Sequence, residues 1–491
     1  MILPTFRSPL IACVALSIAL GTEVVNAPQL AFLLALFPAM ILMARRSATI
    51  WVASAVSVAV LARGLVGLQL LPGYAQFAHV PLAWGAAWVA LTRGGGRSAL
   101  AHRCVGLLAV LGFAVVASTV LNQSQPLRGA AYLSILGEPI AILAALLVDP
   151  PDRRERTFLI RTCAALVAVQ IPLAYAQAAT RGFGDAVQGT LYGSGAGAHV
   201  MAGLVIVGAF WYIGHTRRAF SPVSMGILAL MVGVILIADA KQVTFALPVV
   251  LIAQRTLSAR SIVVGAMALA AVFAVVHFHT LNQGYAVRYV DRALSGDTGK
   301  EAAAKLIWND ATADISIFIF GQGPAETVSR TAYETVPAYQ KAESSLHVLG
   351  LEPAKTAIEA EDLAVAAVKK TGRATQVEPF NLDSFDSGVS SGIGLFGDLG
   401  LFGFLAYGVL LSTIFLRLRR RKSAEALGAV SGFALLIILG FILDWWEQPA
   451  ITLFLGTLAG LALTGESAEP TASPTVVDHP GPDTLASPKT A

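Results

Sequence analysis

Long apolar runs separated by short polar connections dominate the chain. Most runs are about 17 to 23 residues long, the length that a helix rising 1.5 Å per residue needs to cross a hydrocarbon core of about 30 Å. Because the runs are continuously apolar and do not alternate, they favour helices over a β-barrel. About fourteen membrane-spanning helices are predicted, at 8–22, 28–44, 49–71, 77–92, 104–121, 130–148, 158–178, 197–214, 221–238, 242–257, 261–279, 393–416, 424–444 and 448–464.

The composition excludes a soluble globular protein. Of the 491 residues, 56% are hydrophobic and 13% are charged, and the mean hydropathy is +0.69. These values predict an all-α polytopic membrane protein. The net charge of +4 is too small to indicate a nucleic-acid partner. The three cysteines lie in or beside apolar runs, so no disulfide framework is predicted.

Basic residues fall in every second connection between the predicted spans. They are Arg7, Arg45, Arg46, Arg93, Arg97, Arg103, Arg153, Arg154, Arg156, Arg217, Arg218, Arg255, Arg260, Arg417, Arg419, Arg420, Arg421 and Lys422. The intervening short connections hold only Arg128, Arg181 and Lys241. Since cytoplasmic loops carry an excess of Lys and Arg, both termini are predicted to be cytoplasmic. The first run follows Arg7 and favours an uncleaved signal anchor.

This alternation divides the chain into four predicted domains. Residues 1–280 form a membrane domain of about eleven helices. Residues 281–392 form one large outer loop domain between helices 11 and 12, with helices predicted at 300–315 and 353–370. Residues 393–464 return to the membrane with about three helices. Residues 465–491 are rich in Pro, Ser and Thr and predict a disordered cytoplasmic tail.

Two charges inside predicted spans are candidates for a membrane cavity. Glu138 lies beside Pro139 in the middle of a span, and Arg63 lies within another span. Charges at this depth are costly unless they are paired or wet, so such residues are default candidates for function. Arg63 is a natural counter-ion for Glu138. A structural pair and a contact to substrate are both open.

Basic residues near the predicted outer ends of the spans suggest a cationic mouth. Arg181 and Lys241 lie in short outer connections. Arg288 and Arg292 are four positions apart, so a helix would place both guanidinium groups on one face, where they can grip a diphosphate. A solvated face partly neutralised by Asp291, and a snorkelling Lys241, are the structural alternatives.

Asp398 lies about five residues, or roughly 8 Å of helix, inside the predicted outer end of its span. It faces the same compartment as the outer cations. We expect it to orient one of those cations or, as an alternative, to act as a general base. No nucleotide-binding loop, zinc spacing or nucleophile elbow occurs in the chain, so neither a metal nor another cofactor is predicted.

Three stretches resemble a known family: IWNDATADISIFIFGQGPAET, GLFGDLGLFGFLAYGVLL and ADAKQVTFALPVVL. They are similar to the loop passage ending in Gly-x-Gly, the acidic re-entry helix and the outer turn of bacterial O-antigen polymerase and ligase type proteins. These are integral membrane glycosyltransferases with many helices and one late outer loop. The layout of most of the chain also resembles this family.

The resemblance implies a metal-independent glycosyltransferase that joins glycan units carried on undecaprenyl diphosphate. Its implied diphosphate-binding residues are Arg181, Lys241, Arg288 and Arg292, and its implied catalytic residues are Asp398, Arg288 and Arg292. Membrane lipids, a flippase and a chain-length regulator of the same pathway are the implied partners.

The chain departs from the family pattern in two places. The region before Asp398 reads SFDSGVSSGIG and holds no histidine, and Lys241 and Gln242 stand where many members have Ser-Arg. The missing histidine favours a polysaccharide polymerase over a ligase. A flippase or other transporter, and a non-catalytic assembly scaffold, remain as alternatives.

Overall fold

A computed structural model describes residues 47–68, 70–71, 73–93, 98–191, 197–216, 221–238, 240–254, 298–336, 351–370 and 387–465. All regular secondary structure in these ranges is helical. The helices are α1 (Ala48–Gly67), α2 (His79–Arg93), α3 (Ala99–Leu121), α4 (Pro126–Val148), α5 (Arg153–Ala168), α6 (Gln170–Arg181), α7 (Gly197–His215), α8 (Pro222–Ile237), α9 (Lys241–Ala253), α10 (Gly299–Ala313), α11 (Ile315–Phe320), α12 (Arg330–Tyr333), α13 (Lys355–Lys370), α14 (Ser391–Leu418), α15 (Ala424–Ile442) and α16 (Pro449–Thr464).

Seven helical segments in the described ranges are long and apolar enough to cross a membrane. They are α1, α3, α4, the α5 and α6 pair, α7, α14 and α15. Helices α8 and α16 and most of α9 are apolar but shorter. Every predicted span within the described ranges coincides with a helix or with the α5 and α6 pair. The spans predicted at 8–22, 28–44 and 261–279, and the tail beyond residue 465, lie outside these ranges.

Polar side chains at the helix starts explain where several helices begin. Asp152 accepts a hydrogen bond from the Glu155 backbone amide at 2.7 Å, and Glu155 returns a bond to the Asp152 amide, which completes a capping box for α5. The hydroxyl of Ser390 caps α14, and that of Ser423 caps α15. Each cap satisfies an amide that has no partner inside its helix.

The described ends of the helices gather at two ends of a bundle. At one end, which we call the basic end, Arg93 lies 4.0 Å from Asp149 and Arg156 lies 3.0 Å from Glu425. Connections that the sequence predicted to share one side of the membrane therefore meet through ion pairs. At the opposite end, which we call the loop end, residues 298–336 pack against α14 and the start of α4.

The described part of the loop contains both helices predicted for it, as α10 and α13, and these two helices pack on each other. The contact face of α13 is built from small residues, because Ala357, Ala360 and Ala364 are fully buried. Leu363, a larger apolar residue of the same helix, is 40% exposed. Close packing through alanines brings two helices together without requiring a large apolar side chain at that position.

Candidate functional site

The loop docks on a kink in α14. Gly400 has a φ of 64° inside this helix, a conformation that strongly favours glycine. Gly321 also has a positive φ of 79°, and a Cβ atom there would lie 2.3 Å from the backbone carbonyl carbon of Asp398. The Gly-x-Gly passage that ends at Gly323 and the Gly-Asp-Leu-Gly passage around Asp398 therefore fit together through backbone contact.

Asp398 fastens the loop to this kink. The side chain is fully buried, and its Oδ1 accepts hydrogen bonds from the amides of Glu326 at 3.0 Å and Thr327 at 2.8 Å. The Thr327 hydroxyl donates a third bond to Oδ1, also at 2.8 Å. The Asp398 backbone carbonyl accepts a bond from the Ser118 hydroxyl of α3 at 2.8 Å. We call this arrangement the first anchor.

The sequence led us to expect that Asp398 would orient an outer cation or act as a base. Within the described residues its side-chain hydrogen bonds go to the loop, and none of its partners is a cation. Tyr132 of α4 is buried beside it. The Tyr132 hydroxyl and Oδ2 of Asp398 make no hydrogen bond of ordinary geometry in the described structure. The carboxylate therefore has the environment of a structural acceptor.

A second carboxylate holds the loop in the same way. Glu447, in the short 3₁₀ turn between α15 and α16, accepts hydrogen bonds from the amides of Arg330 at 3.2 Å and Thr331 at 2.8 Å. The Thr331 hydroxyl donates to it at 2.7 Å. Each carboxylate thus accepts hydrogen bonds from the backbone amides of two successive residues. The second of these residues is a threonine, whose hydroxyl donates a further bond to the same carboxylate. We call this arrangement the second anchor.

Charged side chains surround the second anchor. The Arg330 guanidinium donates to Asp444 at 2.9 Å and to Glu334 at 3.2 Å. Burial raises the pKa of Glu447 from its ordinary 4.5 to about 7, the bonds from Thr331 oppose this rise, and the nearby Asp398 and Asp444 add to it. Glu447 therefore gains and loses a proton near neutral pH.

Arg128 ties the start of α4 to two parts of the loop. Its guanidinium pairs with the Glu326 carboxylate and donates to the backbone carbonyl of Glu352. Arg128 is only 2% exposed. The sequence pattern identified this residue only as a charge in a short connection. In the structure it is buried and connects the start of α4 to Glu326 and Glu352 of the loop.

A cavity of about 620 Å³, counting the part open to solvent, lies beside the second anchor. Its walls come from α1, α2, α4, α7, α12, α16 and the short turns between helices. The polar and charged residues that line it are Arg63, Gln76, His79, Arg330, Thr331, Glu334, Glu447 and Gln448. We call it the loop-end cavity. It brings two arginines, a histidine and the titratable Glu447 into one space at the end of the membrane helices.

Glu138 contacts a different partner from the one that the sequence suggested. Its Oε2 lies 2.7 Å from Nδ1 of His79, and both residues are buried. Arg63 instead lines the loop-end cavity. Hydropathy locates a helix along the chain but does not fix its rotation about its axis, so the partner of a buried charge does not follow from it.

The other predicted cations lie at different places in the chain, and the structure describes the side chain of Arg181 among them. Arg181 is exposed at the C-terminal end of α6 and does not line the loop-end cavity. Lys241 begins α9. Arg288 and Arg292 lie outside the described residues. Among the predicted charges whose side chains the structure describes, Arg63 lines this cavity.

Arg330 and Glu447 were missed by the sequence reasoning. Arg330 lies in the loop at SRTAYE, and Glu447 lies in the connection LDWWEQP between the last two spans. A usable signal was present, because Asp444 and Glu447 are two carboxylates in a short connection on the predicted outer side. Their partner could not be identified from the sequence, because Arg330 precedes Asp444 by 114 positions.

No cluster of three or more metal-ligating side chains occurs within the described ranges. The polar lining of the loop-end cavity combines two arginines and a histidine with the carboxylates of Glu334 and Glu447, and the guanidinium groups are the part of this set that suits an anionic ligand. No protein-family model matches the chain, and no curated protein matches it significantly.

Proposed function

We propose that this protein is a polysaccharide polymerase-like glycosyltransferase of the bacterial cytoplasmic membrane. It would join glycan units carried on undecaprenyl diphosphate, at the outer face, without a metal or another cofactor. Membrane lipids, a flippase and a chain-length regulator would be its partners, and both termini would be cytoplasmic. A ligase-like transfer of the same donor to a different acceptor is the nearest alternative.

One observation carries the proposal. The loop-end cavity places Arg63, Arg330 and Glu447 together where the loop meets the membrane helices. A lipid-linked diphosphate has its charged group at this level while its tail remains in the bilayer. Guanidinium groups recognise phosphate oxygens in paired hydrogen bonds, and they do so more strongly in a partly dry cavity than in water.

The chemistry requires a proton acceptor and a stabiliser of negative charge. The hydroxyl of the acceptor sugar attacks the anomeric carbon of the donor, and the bond from that carbon to the phosphate oxygen breaks. The hydroxyl proton passes to the Glu447 carboxylate, whose pKa of about 7 suits a base working near neutrality. Arg63 and Arg330 stabilise the charge on the departing lipid diphosphate.

Asp398 has a positioning role in this proposal. It holds Glu326 and Thr327 through the first anchor, and Arg330 follows Thr327 by three residues. Glu447 accepts the same kinds of hydrogen bond but lines the loop-end cavity, whereas Asp398 is not among its described lining residues, so we assign the base role to Glu447. Arg288 and Arg292 remain candidate diphosphate contacts from the sequence.

The test is a reconstituted reaction with purified protein in proteoliposomes and a lipid-diphosphate-linked oligosaccharide as donor and acceptor. Mass spectrometry of the products measures chain elongation. Glu447→Gln is expected to lower turnover about 100-fold or more while donor binding stays within about threefold, because the amide cannot take the proton. Arg63→Gln is expected to weaken donor binding as well.

Arg154→Gln is the matched control, since Arg154 is an exposed arginine at the basic end. It should elongate chains at the wild-type rate. Elongation by Glu447→Gln at the wild-type rate would reject the base assignment. Normal elongation by both Arg63→Gln and Arg330→Lys would reject the cavity as the diphosphate site.

A transporter of lipid-linked oligosaccharide is the second candidate. The buried pair of His79 and Glu138, with His79 lining the loop-end cavity, is a titratable pair of the kind found on transport paths. A deletion strain distinguishes the two functions. Single lipid-linked units on the outer leaflet would indicate lost polymerisation, and units retained on the inner leaflet would indicate lost transport.

A further inference from the structure

A second cavity lies at the opposite end of the bundle. It has a volume of about 590 Å³, counting the part open to solvent, and lies where α14 ends and α15 begins, beside the ends of α7 and α9. Its charged and polar lining residues are Gln254, Arg419, Arg421, Lys422 and Ser423. We call it the basic-end cavity.

The lining of this cavity is positive. Arg419, Arg421 and Lys422 contribute three cations, and none of the described lining residues is a carboxylate. The nearby Glu425 is directed elsewhere, because it lies 3.0 Å from Arg156 and 4.0 Å from His215. Glu425, the acid closest to the lining cations in sequence, is thus engaged by residues of α5 and α7.

Arg419 carries an unused hydrogen-bond donor at this site. Its Nε is buried and has no acceptor among the described residues. Its guanidinium lies 5.6 Å from the centre of the Phe415 ring, a cation-π contact that restrains its orientation. A buried donor without an acceptor is unfavourable, so an incoming anionic oxygen would satisfy a group that has no acceptor among the described residues.

The start of α15 forms one side of the cavity. Ser423 caps this 19-residue helix, and the C-terminal ends of α7, α9 and α14 lie beside it. The Gln254 side chain donates to the Leu427 carbonyl at 2.9 Å and to Ser431, which fixes α9 against α15. The site is thus held between two fixed helices.

The remaining wall of the cavity is apolar. It is formed by Ala253, Ala426, Leu427 and Val430. A free phosphate ion gains nothing from contact with an apolar wall. A lipid has a charged head group and an apolar glycerol and acyl region, so it can contact both the cations and the apolar wall. Basic pockets between membrane helices are known to bind phosphorylated lipid headgroups.

We propose that the basic-end cavity binds the phosphate group of an anionic glycerophospholipid. Arg419, Arg421 and Lys422 hold the phosphate oxygens, and Leu427 and Val430 contact the apolar part of the lipid. This site is separate from the loop-end cavity and does not depend on the proposed glycosyl transfer. It ties the junction of α14 and α15 to one lipid of the surrounding leaflet.

The test uses the purified full-length protein in detergent, titrated with dioleoyl phosphatidylglycerol and followed by native mass spectrometry. Zwitterionic dioleoyl phosphatidylcholine is the charge control, and inorganic phosphate is the competitor. Removing one cation is expected to weaken phosphatidylglycerol binding about fivefold, and the pair Arg419→Gln and Arg421→Gln about 25-fold. Arg419→Lys keeps the charge and should retain more of the binding.

Arg420→Gln is the matched control, because Arg420 is exposed, adjacent in sequence and absent from the cavity lining. It should bind phosphatidylglycerol like the wild type. Lys422→Gln alters an exposed residue, so weaker binding by this variant cannot arise from unfolding.

Each outcome bears on the proposal. Equal losses in Arg419→Gln and Arg420→Gln would overturn it, since they would indicate diffuse attraction to the basic segment. Equal affinity for the two lipids would also overturn it. Displacement of phosphatidylglycerol by millimolar inorganic phosphate would support phosphate recognition and identify free phosphate as a second source of the ligand. Resistance to this competitor would support the lipid as the sole source.

Discussion

Both ends of the bundle contain pairs of arginine and carboxylate, but the cavities at the two ends are lined differently. At the loop end, Arg330 is held by Asp444 and Glu334, and Arg128 pairs with Glu326. At the basic end, Arg419 lines a cavity that receives no carboxylate from its described lining. The cations of the loop-end cavity thus share that cavity with carboxylates, whereas the cations of the basic-end cavity share it with no carboxylate among the described lining residues.

The difference teaches how the surroundings of a cation determine its role. An arginine between two carboxylates has a fixed direction, and its charge is largely balanced within the fold. Such a group can support a loop and present a defined face to a ligand. An arginine without a carboxylate contributes a net field instead, and that field attracts anions from outside.

The largest expected effect comes from breaking the loop-end bridge. Arg330→Met leaves Asp444 and Glu334 with little exposure and without their shared cation. Loss of one partner of a buried ion pair is expected to destabilise the protein by about 3 to 5 kcal/mol. The free energy of unfolding in mixed detergent micelles measures this, and a loss below that of the basic-end variant Arg156→Met would contradict the comparison.

The first anchor should be nearly as important. Asp398→Ala leaves the amides of Glu326 and Thr327 without their acceptor, and the expected loss is about 3 kcal/mol of unfolding free energy. Limited proteolysis should show faster cleavage within residues 319–329. Asp398→Asn keeps one acceptor oxygen and should lose less. Equal protection in Asp398→Ala and the wild type would exclude the anchoring role.

The second anchor predicts a pH dependence of stability. The pKa of Glu447 is raised to about 7 in the folded protein, against an ordinary value of 4.5. The folded state therefore binds this proton more tightly, so the contribution of Glu447 to stability is present below pH 4.5 and is lost as the pH rises through 7. Between pH 5.5 and pH 8 the loss is expected to be about 2 kcal/mol.

The same titration of Glu447→Gln provides the reference for this prediction. The amide has no proton to lose in this range, so the difference between wild type and variant isolates Glu447 from all other groups. A difference that stays constant from pH 5.5 to pH 8 would show that the Glu447 carboxyl does not titrate there.

The smallest effect is expected at the basic end. Arg156 is 24% exposed and Glu425 is 6% exposed, so water reaches the pair mainly on the arginine side, and His215 at 4.0 Å still faces Glu425 when Arg156 is replaced. Arg156→Met should therefore reduce the free energy of unfolding by only about 1 kcal/mol. Added salt should lower the free energy of unfolding of the wild type more than that of Arg156→Met, because the variant lacks this ion pair. A loss as large as that of Arg330→Met would remove the distinction between the two ends.

The helices were predictable from the sequence because each is encoded locally. The predicted span 130–148 became α4 at Pro126–Val148, and the predicted span 424–444 became α15 at Ala424–Ile442. A continuous apolar run, with a polar cap such as Ser423 before it, is sufficient for such a prediction.

The site was predictable only in part, because its contacts join distant segments. Asp398 stood out as a charge in an apolar helix, but its binding to Thr327 depends on how the loop folds back over 71 positions. Glu138 also stood out, whereas its contact with His79 depends on the rotation of α2 and α4. Neither property leaves a periodic signal in the sequence.

The two anchors also have a consequence for the order in which the chain is made. Glu326 is synthesised 72 residues before Asp398, and Thr331 is synthesised 116 residues before Glu447. At 5 to 20 residues per second, the first acceptor follows after roughly 4 to 14 seconds and the second after roughly 6 to 23 seconds. During biogenesis the loop therefore lacks the acceptors of both anchors until the last helices are synthesised. In that interval it is accessible to chaperones and proteases.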